Sequence, residues 1–408
     1  MDKVVVVGSS LAGVRACGGL RANGFEGRIT LVGNEPHRPY DRPPLSKKVL
    51  AGDWEPDRIA LFRDGEIESL RLDLRLGQPA VRLSLSDRAV ELGSGETVEF
   101  DGLIIATGAS TRRLPQQLVD ESVFELRTLD DSLALRARLA SGDQRVTIIG
   151  AGFIGLEVAA TARALGNEVV VVEGLPAPLI RGLGAEMGRA VTKLHDDNGV
   201  AIRCGVSVGG ISRDGDALTV HITDGHGAAE SIISDVVVVG IGVSPVTGWL
   251  ADSGLELRDG VVCDATLNAG PVGVYAAGDI ARWPNGQFDG EEMRVEHWTN
   301  ASEQGLHAAK NLLAVSNGSA PEPYSAVPFF WSEQYGARIQ FIGRAAGDDE
   351  VRIVKGSVED RAFVALYGKH GRLRGALGLS MPKPLMQCRK LVLDRLSFDD
   401  AVSAVESF

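Results

Sequence analysis

Two glycine-rich turns constrain this chain more than any other feature. Gly8-Ser9-Ser10-Leu11-Ala12-Gly13 lies near the start and Gly150-Ala151-Gly152-Phe153-Ile154-Gly155 in the middle. Each follows an apolar, β-branched run (4–7 and 146–149) and opens a helical pattern, the context in which backbone N–H groups and a helix N-terminus face a pyrophosphate. Each is also followed, roughly 20 residues on as such folds require, by an acid closing the next strand-like run: Glu35 after 29–32 and Glu173 after 169–172. Such an acid accepts hydrogen bonds from an adenosine ribose; the alternative for either one is a plain carboxylate at a strand end. The two matched spacings together predict two dinucleotides held by one chain. Ser10 departs from the pattern where a second glycine would allow the closest approach of a pyrophosphate. Its hydroxyl is itself able to bond a phosphate oxygen.

With 408 residues the chain is long for a single core, and units of about 100–150 residues each suggest three domains. Valine-rich runs, 50 glycines and 5% aromatics suit α/β architecture, in which buried parallel strands read as continuous apolar stretches. There is no 18-residue apolar run and no charged-then-apolar leader before Met1-Asp2-Lys3, so a cytoplasmic protein with no membrane span is expected. A net charge of −12 argues against nucleic acid as a partner, since phosphate neutralisation needs a basic surface. Cys17, Cys204, Cys263 and Cys388 are far apart, which leaves no Cys-x-x-Cys pair, zinc cluster or iron–sulfur ligand run. The histidines, His37 and His195 among them, show no metal spacing, and no metal is assigned.

Along the chain a β–α–β pattern over 4–32 leads through turns and short strands to 101–108, and a second one starts near 145. A helix is expected over 185–198, a strand over 200–204, and an antiparallel pair over 218–223 and 230–233 around Asp224-Gly225. The run 236–240 repeats the strand-then-glycine ending of 104–108, so two similar nucleotide units are expected. They are nested, because 274–279 reads as a late strand returning to the first. A helix over 301–313 closes that core, and Pro321-Glu322-Pro323 leads into a third unit with strands at 337–343, 362–367 and 373–379 and a C-terminal helix.

Pro39-Tyr40-Asp41-Arg42-Pro43-Pro44-Leu45-Ser46-Lys47, Ala106-Thr107-Gly108, Leu126-Arg127-Thr128, Ala276-Ala277-Gly278-Asp279, Glu296-His297-Trp298-Thr299-Asn300-Ala301 and Pro328-Phe329-Phe330-Trp331-Ser332 carry a resemblance. Together, over essentially the whole chain, they are similar to the FAD-dependent NADH:ferredoxin reductases of bacterial oxygenase systems, the putidaredoxin-reductase type. The resemblance implies two Rossmann-like nucleotide-binding domains of the glutathione-reductase kind plus a small α+β C-terminal domain. The expected divisions are 1–110 with 236–320 for FAD, 111–235 for NAD and 321–408 for the C-terminal domain. It implies hydride transfer from NADH to FAD, then single electrons to a separate iron–sulfur ferredoxin that feeds a cytochrome monooxygenase or ring-hydroxylating dioxygenase. A monomer or weak dimer is expected.

The same resemblance places FAD against Gly8, Ser10, Leu11, Ala12, Gly13, Glu35, Arg42, Lys47, Ala80, Val81, Ala106, Thr107, Gly108, Arg127, Gly278, Asp279, Glu296, His297, Trp298 and Trp331. It places NAD against Gly150, Gly152, Phe153, Ile154, Gly155, Glu157, Glu173, Arg181, Gly240, Ile241 and Gly242. Lys47 and Glu157 are the implied catalytic residues: a fixed cation beside the flavin N5 edge favours the anionic reduced ring, and Glu157, expected in the first turn of its helix, lies near Lys47 and the nicotinamide amide. A solvated lysine and an ordinary carboxylate near a helix N-terminus are the alternatives. Arg42 and Arg127 are either phosphate and adenosine-side contacts or surface ion pairs. Asp279 either accepts from ribityl hydroxyls or caps a helix, and Trp331 either stacks near the flavin or nicotinamide or fills a core.

Related disulfide and coenzyme A reductases need a cysteine near the flavin, whereas the stretch after Glu35 holds Ser46 and no cysteine. Two further readings share the motifs: an NADH oxidase reducing oxygen, and an NAD-responsive redox sensor like the apoptosis-inducing-factor group. Glu173 predicts NADH over NADPH, because a carboxylate accepts from a ribose 2′-OH and repels a 2′-phosphate; the nearest following cation is Arg181.

Overall fold

Valine and isoleucine runs bounded by glycine form parallel strands buried on both faces, and this chain does so twice. The structure, a computed structural model, describes residues 1–115, 120–215 and 217–407. Its contacts divide the chain into two compact units, Met1–Asp41 with Asp57–Ser110 and Ser244–Pro328, and Arg42–Pro56 with Thr111–Val243 and Phe329–Phe408.

In the first unit a parallel sheet runs in the order Val274–Ala276, Gly102–Ile105, Lys3–Val7, Arg28–Val32, Leu72–Arg75. The late strand expected at 274 returns to this sheet, with Tyr275 in register with Ile104. Val4 to Val7 are buried, which is why the sequence shows no period-two alternation there. Helices Leu11–Ala22 and Trp298–Ser316 pack together. Gly305 permits their approach, since a Cβ at that position would stand 2.3 Å from the Ala12 carbonyl oxygen. Two small three-stranded sheets complete the unit, Ala80–Ser84 with Ala89–Leu92 and Thr97–Glu99, and Val261–Val262 with Ala281–Asn285 and Glu291–Arg294.

The second unit repeats the pattern in the order Ala201–Cys204, Glu168–Glu173, Arg145–Ile149, Val236–Val239, Val123–Phe124. The antiparallel pair expected around Asp224-Gly225 is present as Ala217–Thr223 and Ala229–Ser234, with Ser207–Asp214 as a third strand. The C-terminal part is an antiparallel sheet, ordered Phe329–Gln334, Ala337–Gly343, Arg372–Leu379, Ala362–Lys369, Glu350–Ser357, with helices Pro382–Leu393 and Phe398–Glu406. Sequence alone suggested three of these five strands. Glu350–Ser357 is an edge strand with a register shift between Ile353 and Lys355, and a bulge destroys the alternation that marks a strand.

The divisions differ from the sequence expectation in four places, one of them residues 321–328, which were expected in the C-terminal domain and lie in the first unit. Val236–Val239, assigned to the FAD domain, lies parallel to Arg145–Ile149 with Val146 opposite Val236, because it is the counterpart of Gly102–Ile105. Residues 42–56 join the second unit, held there by Ser132 Oγ donating to Leu45 O at 2.7 Å and Thr161 Oγ1 donating to Ser46 O at 2.8 Å. Residues 329–407 form no separate unit by contacts but cluster with the 111–243 part. Of the expected spans, 116–119, 216 and 408 lie outside the described residues.

Helix Ile180–Asp197 ties that part to the C-terminal sheet. It is broken at Gly184 (φ 75, ψ 166), and at the break the Leu183 carbonyl accepts from the buried Tyr367 hydroxyl at 2.8 Å. Arg361 adds a forked pair to Asp197 at 2.7 and 2.8 Å. Replacing Tyr367 by Phe strands a buried carbonyl, worth about 1–3 kcal/mol. The melting midpoint, followed by circular dichroism, is expected to fall by roughly 1–4 °C; an unchanged midpoint would refute the role given to this bond.

Candidate active site

Each glycine-rich turn folds against a second loop of its own unit. In the first, a Cβ on Gly13 would stand 1.9 Å from the Gly8 carbonyl oxygen, one on Gly8 2.0 Å from that of Ala106, and one on Gly278 3.0 Å from the Ala12 Cβ. The turn 8–13, the loop carrying Ala106, Thr107 and Gly108, and the Gly278-Asp279 turn are thereby brought together. Helix Leu11–Ala22 starts at Ser10 without a side-chain cap and without an acid in its first turn, so its N-terminal dipole faces no carboxylate of its own. Gly278 N donates to Gln304 Oε1 at 2.8 Å, while the Gln304 Nε2, fully buried, has no partner among the described residues. Glu35 accepts from the Tyr40 hydroxyl. Asp279 lies in the short 3-10 helix Gly278–Ile280; Arg294 donates to its carbonyl at 3.0 Å and to Glu296 Oε1 at 2.7 Å. Trp298 Nε1 donates to Asp41 Oδ1 at 2.8 Å. His297 is partly exposed, but its Nδ1 is enclosed, and burial pushes its pKa down to about 4. Ala80 and Val81 lie on strand Ala80–Ser84, where Val81 is exposed.

The second unit mirrors this. A Cβ on Gly155 would meet the Gly150 carbonyl oxygen at 2.2 Å, and one on Gly150 the Gly240 carbonyl oxygen at 2.3 Å. Arg181 reaches the loop at Gly242, its Nη1 3.8 Å from where a Cβ there would be. At Gly152, exposed and open for 4 Å around a would-be Cβ, helix Phe153–Ala164 begins uncapped. Ile154 is exposed too, and Phe153 stands edge-on to Phe330, ring centroids 4.8 Å apart. Glu173 accepts from Ala151 N at 2.7 Å and Leu175 N at 2.8 Å, one bond on each carboxylate oxygen. The acid is therefore locked to the glycine turn, with lone pairs left for a ribose hydroxyl.

Lys47 and Glu157 meet. Lys47 Nζ donates to Glu157 Oε2 at 2.7 Å, and Ser46 Oγ donates to the same oxygen at 2.5 Å. Ser332 Oγ donates to Oε1 at 2.6 Å. The pair is largely withdrawn from water, with 17% of the Lys47 side chain and 7% of the Glu157 side chain exposed. Counting from Phe153, Glu157 opens the second turn of its helix, not the first as expected, so its charge is not a dipole partner of the N-terminus. Arg42 Nη1 donates to the Arg127 carbonyl at 2.5 Å, and the Arg127 backbone N–H bonds Asp131, whose capping box with Thr128 starts helix Leu129–Leu139. Trp331 stacks on Phe329 at 6.1 Å and 26°.

Sequence reasoning gave no role to Ser332, Gln334 or His195, all buried. Gln334 Nε2 donates to Ser332 Oγ at 3.1 Å, Gln334 Oε1 lies 2.8 Å from His195 Nε2, and the Tyr335 hydroxyl lies 3.2 Å from His195 Nδ1. Only Ser332 lay in a quoted motif. Burial raises the thiol pKa of Cys17, Cys263 and Cys388 to about 12 and shifts Cys204 the same way. No group of three metal-ligating side chains occurs among the described residues, and no helix among them is long and apolar enough to cross a membrane.

Desolvation lowers the His195 pKa from the ordinary 6.5. Below 6.5 the unfolded chain binds a proton that the folded chain resists, so stability is full above about pH 6.5 and declines as pH falls. The melting midpoint of the wild type should therefore fall more steeply from pH 8 to 5 than that of His195→Gln; parallel slopes would contradict this.

Comparison with known proteins agrees with both the turns and the C-terminal sheet. The model of the pyridine nucleotide-disulphide oxidoreductases matches residues 2–305, and that of the reductase C-terminal domain matches 329–408. The chain is 37% identical to rhodocoxin reductase of Rhodococcus erythropolis, covering 99% of this chain and 92% of that one. It is 36% identical to the ferredoxin–NAD(+) reductase component of the p-cumate 2,3-dioxygenase system of Pseudomonas putida, covering 98% and 95%. Among solved structures it resembles the ferredoxin reductase for the CYP199A2 system from Rhodopseudomonas palustris, with a TM-score of 0.91 and 35% identity over 98% and 97% of the chains. It likewise resembles the reductase of the covalent putidaredoxin reductase–putidaredoxin complex, with a TM-score of 0.89 and 29% identity over 100% and 99%.

Proposed function

Because the chain belongs to the pyridine nucleotide-disulphide oxidoreductase family, we propose that it is an FAD-dependent NADH:ferredoxin reductase that supplies single electrons to an iron–sulfur ferredoxin of an oxygenase system. The observation that carries this reading is the buried Lys47–Glu157 pair, with a serine hydroxyl at each carboxylate oxygen and no thiol in the cluster. A dithiol reductase needs a reactive thiolate, and burial keeps Cys17, Cys263 and Cys388 protonated. Electrons therefore leave for an acceptor outside this chain, a ferredoxin in this reading.

The residues fit two dinucleotides. Glycine turns that a Cβ would block, uncapped helix N-termini and the unpartnered Gln304 Nε2 are what a bound pyrophosphate and flavin would engage. FAD is assigned to Gly8, Ser10 to Gly13, Glu35, Ala80, Val81, Ala106 to Gly108, Gly278, Asp279 and Glu296 to Trp298, with Arg42, Lys47, Arg127 and Trp331. NAD is assigned to Gly150, Gly152 to Gly155, Glu157, Glu173, Arg181 and Gly240 to Gly242. When bound, FAD supplies a two-electron hydride acceptor that releases its electrons singly. Lys47 supplies a fixed positive charge, Glu157 holds that ammonium in place, and Phe153 with Phe330 keeps apolar surface beside the glycine helix. The reading carries a cytoplasmic monomer or weak dimer with no nucleic-acid partner.

The test is anaerobic NADH-driven reduction of a panel of purified ferredoxins, set against NADH-driven oxygen consumption. Ferredoxin turnover faster than oxygen consumption is expected. Oxygen as the preferred acceptor for every ferredoxin tried would make the protein an NADH oxidase.

Glu173 sets coenzyme choice in this reading. NADH should be used with higher kcat/KM than NADPH, and Glu173→Ala should narrow the ratio mainly through KM, since it removes both the ribose acceptor and the Ala151 anchor. Equal efficiencies in the wild type would sink the assignment.

A further inference from the structure

Glu157, as a carboxylate, has no proton to give, and this fixes the direction of every hydrogen bond behind it. Ser332 Oγ spends its single proton on Glu157 Oε1, so toward Gln334 it can only accept, from Gln334 Nε2. The Gln334 amide then presents its oxygen to His195 Nε2. His195 must carry its proton on Nε2, which leaves Nδ1 to accept from the Tyr335 hydroxyl. Tyr335, His195, Gln334, Ser332 and Glu157 thus form one directed chain, and His195, Gln334 and Ser332 within it are almost wholly buried.

The chain joins three separate pieces of sequence. Glu157 comes from helix Phe153–Ala164, His195 from the last turn of Ile180–Asp197, and Ser332 and Gln334 from one face of strand Phe329–Gln334. Tyr335 (φ 51) and Gly336 (φ 77) make the tight turn after that strand, so its register and the aim of Ser332 are fixed together.

We propose that His195, acting through Gln334 and Ser332, is a positioning residue for the Lys47–Glu157 pair. Its role rests on the reductase reading above. If the imidazole is removed, Gln334 is free to turn its oxygen toward Ser332 and draw that hydroxyl's proton off Glu157. The carboxylate then keeps donors on Oε2 alone, from Ser46 and Lys47, and the ammonium loses its fixed direction.

The test has two arms on the FAD-loaded protein. In the first, long-range 1H–15N spectra of histidine-labelled wild type at pH 7, with His195 assigned by its loss in His195→Gln, should show a neutral ring protonated on Nε2. A ring protonated on Nδ1, or on both nitrogens, would reverse or break the chain and overturn the proposal. In the second, flavin bleaching by NADH is followed by stopped flow. His195→Leu should slow bleaching on the order of tenfold, the weight of one hydrogen bond to a charged group, with little change in NADH affinity. His195→Gln, whose amide can donate to Gln334, should restore most of the rate. Wild-type bleaching in a folded His195→Leu protein, or equal losses in both variants, would overturn the proposal. Absence of bleaching in the wild type would instead overturn the reductase reading, leaving the spectrum to decide the chain. The spectrum also decides should His195→Leu fail to fold.

Discussion

A lysine and a glutamate taken out of water together are the constraint on which the rest of the second unit turns. Removing two charges from solvent costs several kcal/mol per ion unless the remaining lone pairs and protons are satisfied. Glu157 meets that condition with three donors, Lys47, Ser46 and Ser332, from two distant stretches of chain. Delivering them requires that the Pro43–Ser46 turn be held by hydroxyls from two helices, Ser132 and Thr161. It also requires that strand Phe329–Gln334 keep its register against Ala337–Gly343. The C-terminal sheet therefore completes the pair from which the proposed chemistry proceeds, and does more than append a domain to a nucleotide-binding core.

The two glycine turns solve a different problem by the same means. In each unit a loop from a neighbouring strand, at Ala106 or at Gly240, passes so close to the first glycine that no side chain could intervene. What remains is a shallow cradle of backbone N–H groups at an uncapped helix start, which suits an anion better than any arrangement of side chains. The acids that follow differ in detail: Glu173 is clamped by two backbone N–H groups, whereas Glu35 accepts from Tyr40. Clamping keeps a carboxylate in one rotamer before its ligand arrives, which lowers the cost of ordering on binding.

Features written in local sequence were legible. The strand–glycine–helix passages, the acids after them and the antiparallel pair around Asp224-Gly225 all follow from spacing within a short window, and the structure contains each. What spacing could not reveal is which sheet a strand joins. Val236–Val239 is a short, wholly buried run before a glycine turn, as Gly102–Ile105 is, and only pairing with Arg145–Ile149 places it. The position of Glu157 was misjudged by one turn because the helix starts at Phe153, beyond the loop that the glycines shape. The pairing of Lys47 with Glu157 came from family resemblance. Ser332, Gln334 and His195 were silent because their partners are 175 and 139 residues away, and no periodicity records a contact at that range.

Lys47 and Glu157 act as one unit, a held ammonium and the carboxylate that holds it, in supporting hydride transfer from NADH to bound FAD. Groups that act as a unit are not additive when removed, whereas independent ones are. The direct measurement is a double-mutant cycle, Lys47→Met, Glu157→Gln and both together, on the rate of flavin bleaching by NADH in FAD-loaded protein. Each single change is expected to slow bleaching, and the double variant to be no slower than the slower single one. Losses that multiply in the double variant would show that the two residues act separately, and would contradict their action as one unit.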